Sequence, residues 1–337
     1  MSDTRTFVLG LDYEIFFGKA SGDYQKCLIE PTDALMRVAE KTGLKVTYFV
    51  DTGYLAKLKE LADRHTELAN AYSDICRSLK KFVEAGHELQ LHLHPHWSRT
   101  TYSDDGWRFH YDEYRLQSLP EDEVDDLVAS QTRLLADLAD APITAYRAGG
   151  WCLQPFDRIG KSLKSSGVLI DSTVFRGGYN PEENRYFDFR DAPREPFWRF
   201  SSDPIVRDDE GDFLEIPISA TNIPASFFWK MAIARRVGST DTGTFGDGEP
   251  LNNGAGYYLR RLTLGTLSPV SIDGLKGSLL ERSYAAFSRQ HREGAFNVMG
   301  HPKSLSRNSL ASLEDFLGGH TSLERTTLSG AAQSITS

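Results

Sequence analysis

At 337 residues, 40% hydrophobic and 25% charged, the chain is an ordinary globular protein large enough for a sizeable core, which excludes disordered, fibrous and disulfide-scaffold classes. Lys and Arg number 38 against 47 Asp and Glu, and the resulting formal charge of −9 disfavours non-specific attraction to nucleic acid or an anionic membrane and suits a small neutral or zwitterionic substrate. Cys27, Cys76 and Cys152 have no metal-ligand spacing, the N-terminus reaches Asp12 and Glu14 without the apolar run of a secretory signal, and the most apolar piece, 223–233, is too short to span a membrane and carries Lys230, so the expected location is the cytoplasm.

The first half of the chain alternates strand-like and helix-like segments. TFVLGL (6–11) is a short apolar run, and PTDALMRVAEKTG (31–43) follows with helical spacing, an early Pro and a terminal Gly. VTYFV (46–50) is β-branched and aromatic, hence a buried strand. A helical stretch, broken once, runs over 52–85 to Gly86, and HELQLHLH (87–94) alternates like a strand before Pro95. Residues 98–120 have no clean period and read as a long loop, of the kind that often carries function. An amphipathic helix with acids in its first turn follows over 121–140. Strands are expected at 143–150, 167–173, 213–219 and 295–300, and helices at 155–166, 279–292 and 309–317, with loops and hairpins over 175–215. The pattern predicts one domain over 1–318 and a flexible tail over 319–337. Repeated strand–helix units close most simply into a (β/α) barrel, in which catalytic groups stand at the C-terminal ends of the strands.

That rule can be applied directly. The apolar strands end in Asp12 and Glu14, in His92, His94 and His96, in Arg147, in Asp171 and in His301. Two imidazoles four apart, His92 and His96, can meet one divalent ion if the chain turns at Pro95, with His94 a further candidate ligand. Asp12 and Glu14, two apart on a strand, face one side and can divide metal binding from proton transfer. Taken singly, Arg147 reads equally as a cation at a strand end, Asp171 as an N-cap or turn residue and His301 as a turn residue before Pro302.

The order and wording of these pieces resemble the polysaccharide deacetylase family, the NodB-homology or carbohydrate esterase family 4 group. LDYE (11–14) resembles its first motif, GHELQLHLHPH (86–96) its second, YRAGG (146–150) its third with Gly149 in place of Pro, GVLIDST (167–173) its fourth and MGH (299–301) its last. The resemblance implies a distorted (β/α)7 barrel with long decorating loops. It also implies a set of roles: Asp12 as general base, Glu14, His92 and His96 as ligands of Zn2+ or of Co2+, Mn2+ or Ni2+, His301 as general acid, Arg147 as the cation that holds Asp12, and Asp171 as the group that orients His301.

The activity so implied is metal-dependent hydrolysis of a carbon–nitrogen bond, a deacetylase removing an N-acetyl or other N-acyl group from a sugar. The lack of a secretory signal turns the expectation toward a nucleotide-linked or lipid-linked precursor of surface polysaccharide or lipopolysaccharide. The competing readings are an allantoinase-like amidohydrolase on a small cyclic or linear amide, with or without metal, and a non-catalytic sugar-binding barrel. Gly150, Trp151 and Trp97 are candidate substrate contacts, Gly150 through its backbone N–H and the indoles by stacking on a sugar ring, although buried packing also accounts for Trp97, Trp107, Trp151 and Trp198. The stripe Phe227, Phe228, Trp229, Met231 and Ile233 beside Arg235 and Arg236 reads as a core helix or as a surface for a lipid carrier or partner subunit.

Overall fold

A computed structural model describes residues 4–237, 243–251 and 261–336. Its centre is a nine-stranded sheet built from β1 (Thr4–Tyr13), β2 (Val46–Asp51), β3 (Glu88–Leu93), β4 (Ala145–Ala148), β5 (Ile170–Asp171), β6 (Trp198–Phe200), β7 (Phe213–Glu215), β8 (Glu293–Gly300) and β9 (Glu324–Arg325). The order across the sheet is β6-β7-β5-β4-β3-β2-β1-β8. Every pairing is parallel except β6 with β7, and β9 pairs with β1 at Thr6 and Phe7, below the point where β2 begins its own pairing at Leu9. The curled sheet is the distorted (β/α) barrel expected from the alternating pattern.

Helices α1 (Glu30–Thr42), α2 (Thr52–Leu61), α3 (Thr66–Glu84), α4 (Glu121–Ala139), α5 (Asp157–Ser165), α6 (Ala225–Val237), α7 (Leu280–Gln290) and α8 (Arg307–Gly319) follow the expected positions, and the stretch 52–85 is broken between α2 and α3 as its pattern suggested. Alternation along β1 sorts its residues by face. Tyr13 points outward and packs edge-on against Tyr48 and Phe82, whereas Gly10 and Asp12 point inward to Arg147. The loop 98–120 carries a small hairpin, Thr101–Ser103 with Gly106–Arg108.

Two expectations need correction. The segment from 319 is not a free tail: α9 (Leu328–Thr336) closes the N-terminal end of the barrel, with Leu328, Ala331 and Ala332 buried among Val8, Phe49, Leu214 and Ala295. Its small residues looked like a polar tail, yet Ala331 and Ala332 pack into the barrel floor beside Leu328, with Ile335 against them. The stripe on α6 divides. Phe227 and Phe228 are buried against Ile223, with Leu275 and Leu279 packed alongside, while Trp229 and Ile233 are exposed. The side chains of Arg235 and Arg236 lie outside the described residues. No helix among the described residues is long and apolar enough to cross a membrane.

Candidate active site

Inward-facing residues at the strand ends line a cavity of about 320 Å3 that contains Asp12, Glu14, His92, His94, His301 and Lys303. At its base Arg147 is almost wholly buried. It reaches Asp12 Oδ1 through Nη1 at 2.8 Å and donates from Nε to the Ser172 carbonyl at 2.7 Å, with its guanidinium 4.0 Å over the Phe49 ring. Gly10 permits this packing, since a Cβ there would stand 2.8 Å from Arg147 Nη2. The arrangement ties down one oxygen of Asp12 and leaves Oδ2 facing His301 Nε2 at 3.7 Å.

Glu14, His92 and His94 form a tight triangle. Glu14 Oε2 lies 2.6 Å from His94 Nε2 and 3.3 Å from His92 Nε2, and the two imidazole nitrogens are 3.1 Å apart. His92 Nδ1 donates to the Arg147 carbonyl at 2.8 Å, which turns Nε2 toward Glu14 and His94. Burial alone would raise the Glu14 carboxyl, but Lys303, followed by His94 and His92, pulls it well below the usual carboxylate range. Burial opposes the charged form of His92 too, yet Asp12 and Glu14 raise it to about 9.

The third corner of this triangle is His94 and not His96. His94 still has extended backbone, so alternation carries His92 and His94 onto one face, and the 3-10 turn Pro95–Ser98 then swings His96 away. His96 becomes an aromatic core residue, stacked on Tyr114 at 8° and edge-on to Phe17, with neither ring nitrogen bonded among the described residues. Burial and the neighbouring His94 push its pKa well down, so its ring is neutral. Position 149 has no room for a side chain, because a Cβ there would stand 2.5 Å from the Leu93 carbonyl oxygen and 2.7 Å from the His94 ring.

Two imidazole nitrogens and one carboxylate oxygen gathered this closely suit one divalent ion, whose binding displaces any proton they hold. In a tetrahedral zinc site such donors are roughly 3.4 Å apart, slightly wider than the triangle here, and three protein ligands leave a fourth position open. Lys303 sits on the far side of Glu14, donating from Nζ to Oε1 at 2.8 Å and to the Ile15 carbonyl at 2.7 Å, so it takes the carboxylate oxygen that the triangle does not use.

His301 is oriented by Asp273 and not by Asp171. Asp273 Oδ2 accepts from His301 Nδ1 at 2.9 Å, and Oδ1 accepts from the His301 backbone N–H at 2.8 Å. Although burial opposes it, Asp273, then Asp12 and Glu14, raise the His301 pKa above its ordinary value. Asp171 lies on the outer face of β5, one residue out of phase with the inward Ser172, whose hydroxyl accepts from Arg147 Nη2 and from Asn297 Nδ2. Asp171 instead binds the N–H and hydroxyl of Thr173 and stands beside Glu215, its register partner on β7.

Gly150 and Trp151 line the cavity, with Trp151 packed against Phe175 and Phe187. Trp97 does not reach it. That indole is buried beneath, bonded to Asp51 Oδ2 at 2.7 Å and surrounded by Tyr54, Trp107 and Phe17.

No protein-family model matches the sequence, and no curated protein does. Among solved structures, the chain is similar to a protein from Mycobacterium smegmatis assigned as a polysaccharide deacetylase, at 16% identity and a TM-score of 0.51 over 98% of this chain and 91% of that one. It is also similar to the Puue allantoinase, at 13% identity and a TM-score of 0.49 over 98% and 89%. A family 4 carbohydrate esterase from Streptomyces lividans, in complex with acetate, aligns at 11% identity and a TM-score of 0.38 over 94% and 90%. The fold is the NodB-type barrel of the polysaccharide deacetylases.

Proposed function

We propose that the protein is a metal-dependent hydrolase of a carbon–nitrogen bond, a deacetylase that removes an N-acetyl or other N-acyl group from a sugar. The substrate in this reading is a nucleotide-linked or lipid-linked precursor of surface polysaccharide or lipopolysaccharide, handled in the cytoplasm. Three unpaired cysteines are compatible with a reducing compartment. One observation carries the chemical reading: Asp12 and His301 face each other at 3.7 Å in the cavity that also holds the Glu14, His92 and His94 triangle.

Glu14, His92 and His94 would hold the ion, Zn2+ or in its place Co2+, Mn2+ or Ni2+. When bound, it supplies Lewis acidity toward the acyl oxygen and makes water more acidic. Asp12, anchored by Arg147, takes a proton on Oδ2 from the water whose oxygen bonds to the acyl carbon. His301, protonated and held at Nδ1 by Asp273, gives its Nε2 proton to the nitrogen as the carbon–nitrogen bond breaks, so that the sugar leaves as a neutral amine and the acyl group as an acid. The negative charge of Asp273 stabilises the imidazolium before transfer and keeps Nε2 pointed at the leaving group. The cavity volume suits one sugar ring, with Trp151 available for stacking and the Gly150 N–H for an oxyanion.

A second reading is a metal-free amidohydrolase acting on a small cyclic or linear amide. It is supported by Lys303, whose ammonium already neutralises Glu14. Metal content of protein purified without chelator, with acetate release from N-acetylated sugars measured in parallel, separates the two. About one equivalent of metal, lost with activity in His92→Ala/His94→Ala, supports the deacetylase. Amide hydrolysis that persists in chelator selects the second reading, and absence of both metal and hydrolysis leaves a sugar-binding barrel.

A further inference from the structure

A second cavity, of about 290 Å3, shares no lining residue with the first. It lies in the seam of the barrel. One wall is formed by Arg176, Arg194, Trp198 and the connection after β7, and the other by α7 and the start of β8, with Ser283, Phe287 and Ala295. Among the described residues no continuous strand ladder crosses this seam, which is bridged by Ser219 N–H donating to the Asn297 carbonyl at 2.9 Å, by Asn297 N–H donating to Ser219 Oγ at 3.1 Å and by Asn297 Nδ2 donating to the carbonyls of Ile216 at 3.1 Å and Pro217 at 3.3 Å.

The lining is cationic and under-satisfied. Arg176, half-buried, and Arg194, exposed, have no hydrogen bond or ion pair with any described residue. The single acid in the lining, Glu195, is drawn toward Arg207 at 3.7 Å. Ser283 is 3% exposed and its hydroxyl has no partner. Both guanidiniums reach solvent, so their charge is available to a ligand that enters the cavity. Apolar surface lies beside them. Trp198 is 3% exposed with its indole N–H already bound to the Pro204 carbonyl at 2.8 Å, so what it offers the cavity is carbon.

We propose that the seam cavity binds a small organic anion, a carboxylate or phosphate ester with a ring-sized apolar body. Arg176 and Arg194 hold the acidic group, and the body lies against Trp198 and Phe287. A guanidinium pairs with either acid through the same fork of donors, and the volume lies at the small end of ligand cavities. A ligand touching both walls fastens the seam, so its binding raises the melting temperature by mass action.

The test uses the full chain with three probes of one shape: benzoate, phenyl phosphate and neutral benzamide, followed by calorimetric titration and thermal unfolding. At least one anion binds saturably and raises the melting temperature while benzamide does neither, and the anion that binds more tightly identifies the acid class. Arg176→Ala/Arg194→Ala weakens binding by about tenfold or more. Arg194→Glu, at an exposed position where folding is not at risk, abolishes it. His92→Ala/His94→Ala leaves it unchanged, which separates this site from the catalytic cavity. Failure of both anions to bind, equal binding of benzamide, or full affinity in Arg194→Glu overturns the proposal.

Discussion

Asp273 grips His301 twice, through its ring Nδ1 at 2.9 Å and through its backbone N–H at 2.8 Å, so one carboxylate sets both the rotamer and the charge of the imidazole. Asparagine has a single acceptor oxygen and no charge, so Asp273→Asn can accept from only one of the two N–H groups and no longer stabilises the imidazolium. The His301 pKa, raised in the wild type chiefly by Asp273 against the effect of burial, then falls. The acid form is lost at lower pH, and the alkaline limb of the kcat profile moves to lower pH with kcat down by roughly 100-fold. A proton NMR titration of the His301 ring reads the same shift without turnover. An unmoved resonance and an unmoved limb would show that Asp273 does not tune His301.

Replacing His94 and replacing His96 should have opposite consequences. His94→Ala removes a corner of the donor triangle, and metal affinity measured by competition with a chelating dye drops more than about 100-fold. His96→Phe keeps an aromatic ring among Tyr114, Phe17 and Trp97 and removes two buried nitrogens that bond to nothing described. It keeps the metal and melts at or above the wild-type temperature. Metal loss in His96→Phe with retention in His94→Ala would reverse the assignment.

The strand-end rule found the right neighbourhood but not every residue that faces into it. Side chains on a strand change face at every step, so a phase read one residue off exchanges Ser172 for Asp171, whereas His92 and His94 share one face and the turn at Pro95 carries His96 off it. Hydrophobic runs showed where β1, β3, β4 and β8 end, and therefore showed Asp12, Arg147 and His301. They could not show which of two adjacent polar residues faces inward, because both are buried. Asp273 obeys the same rule, following the apolar residues Val270 and Ile272, which bond to the edge of β8 at Met299, but that short pairing has too little pattern to read. Lys303 had no signal beyond its place two residues after His301. The helix α9 was missed because five of its nine residues are Ser, Gly or Ala, a composition shared by disordered tails.

The integrity of the barrel floor depends on that helix. Leu328 is fully buried, and its backbone N–H donates to Thr47 Oγ1 at 2.8 Å, while Ser329 Oγ meets Thr144 Oγ1 at 3.1 Å and accepts from Gln90 Nε2 at 3.3 Å. Leu328→Ala opens a cavity among Val8, Phe49 and Ala295 and costs about 2–5 kcal/mol in urea unfolding. Removal of residues 328–337 costs more, since it exposes the apolar floor as well. A truncated chain with the wild-type urea midpoint would mean that the segment does not pack.

Glu215 and Asp171, paired across β7 and β5, give stability a pH dependence of unusual sign for carboxyl groups. Both are buried, and burial, reinforced at Glu215 by the adjacent Asp171, raises their pKa values, that of Glu215 well above the ordinary range. Glu215 therefore retains a proton in the folded state at a pH where the unfolded chain, with a carboxyl near 4.3, has lost it. Below the unfolded pKa both states are protonated and the pair has no effect. As pH rises above that value the folded state binds more protons than the unfolded one, so stability falls, by about 1.4 kcal/mol for each unit of pKa elevation, until the folded pKa is passed. Glu215→Gln keeps an acceptor for the Val174 N–H, which Glu215 Oε1 receives at 3.2 Å, and offers Asp171 a permanent donor that needs no proton from solvent. The variant should match the wild type near pH 4 and exceed it in urea midpoint by a margin that grows toward pH 8. A constant difference across that range would mean that no proton is held between the two carboxyls.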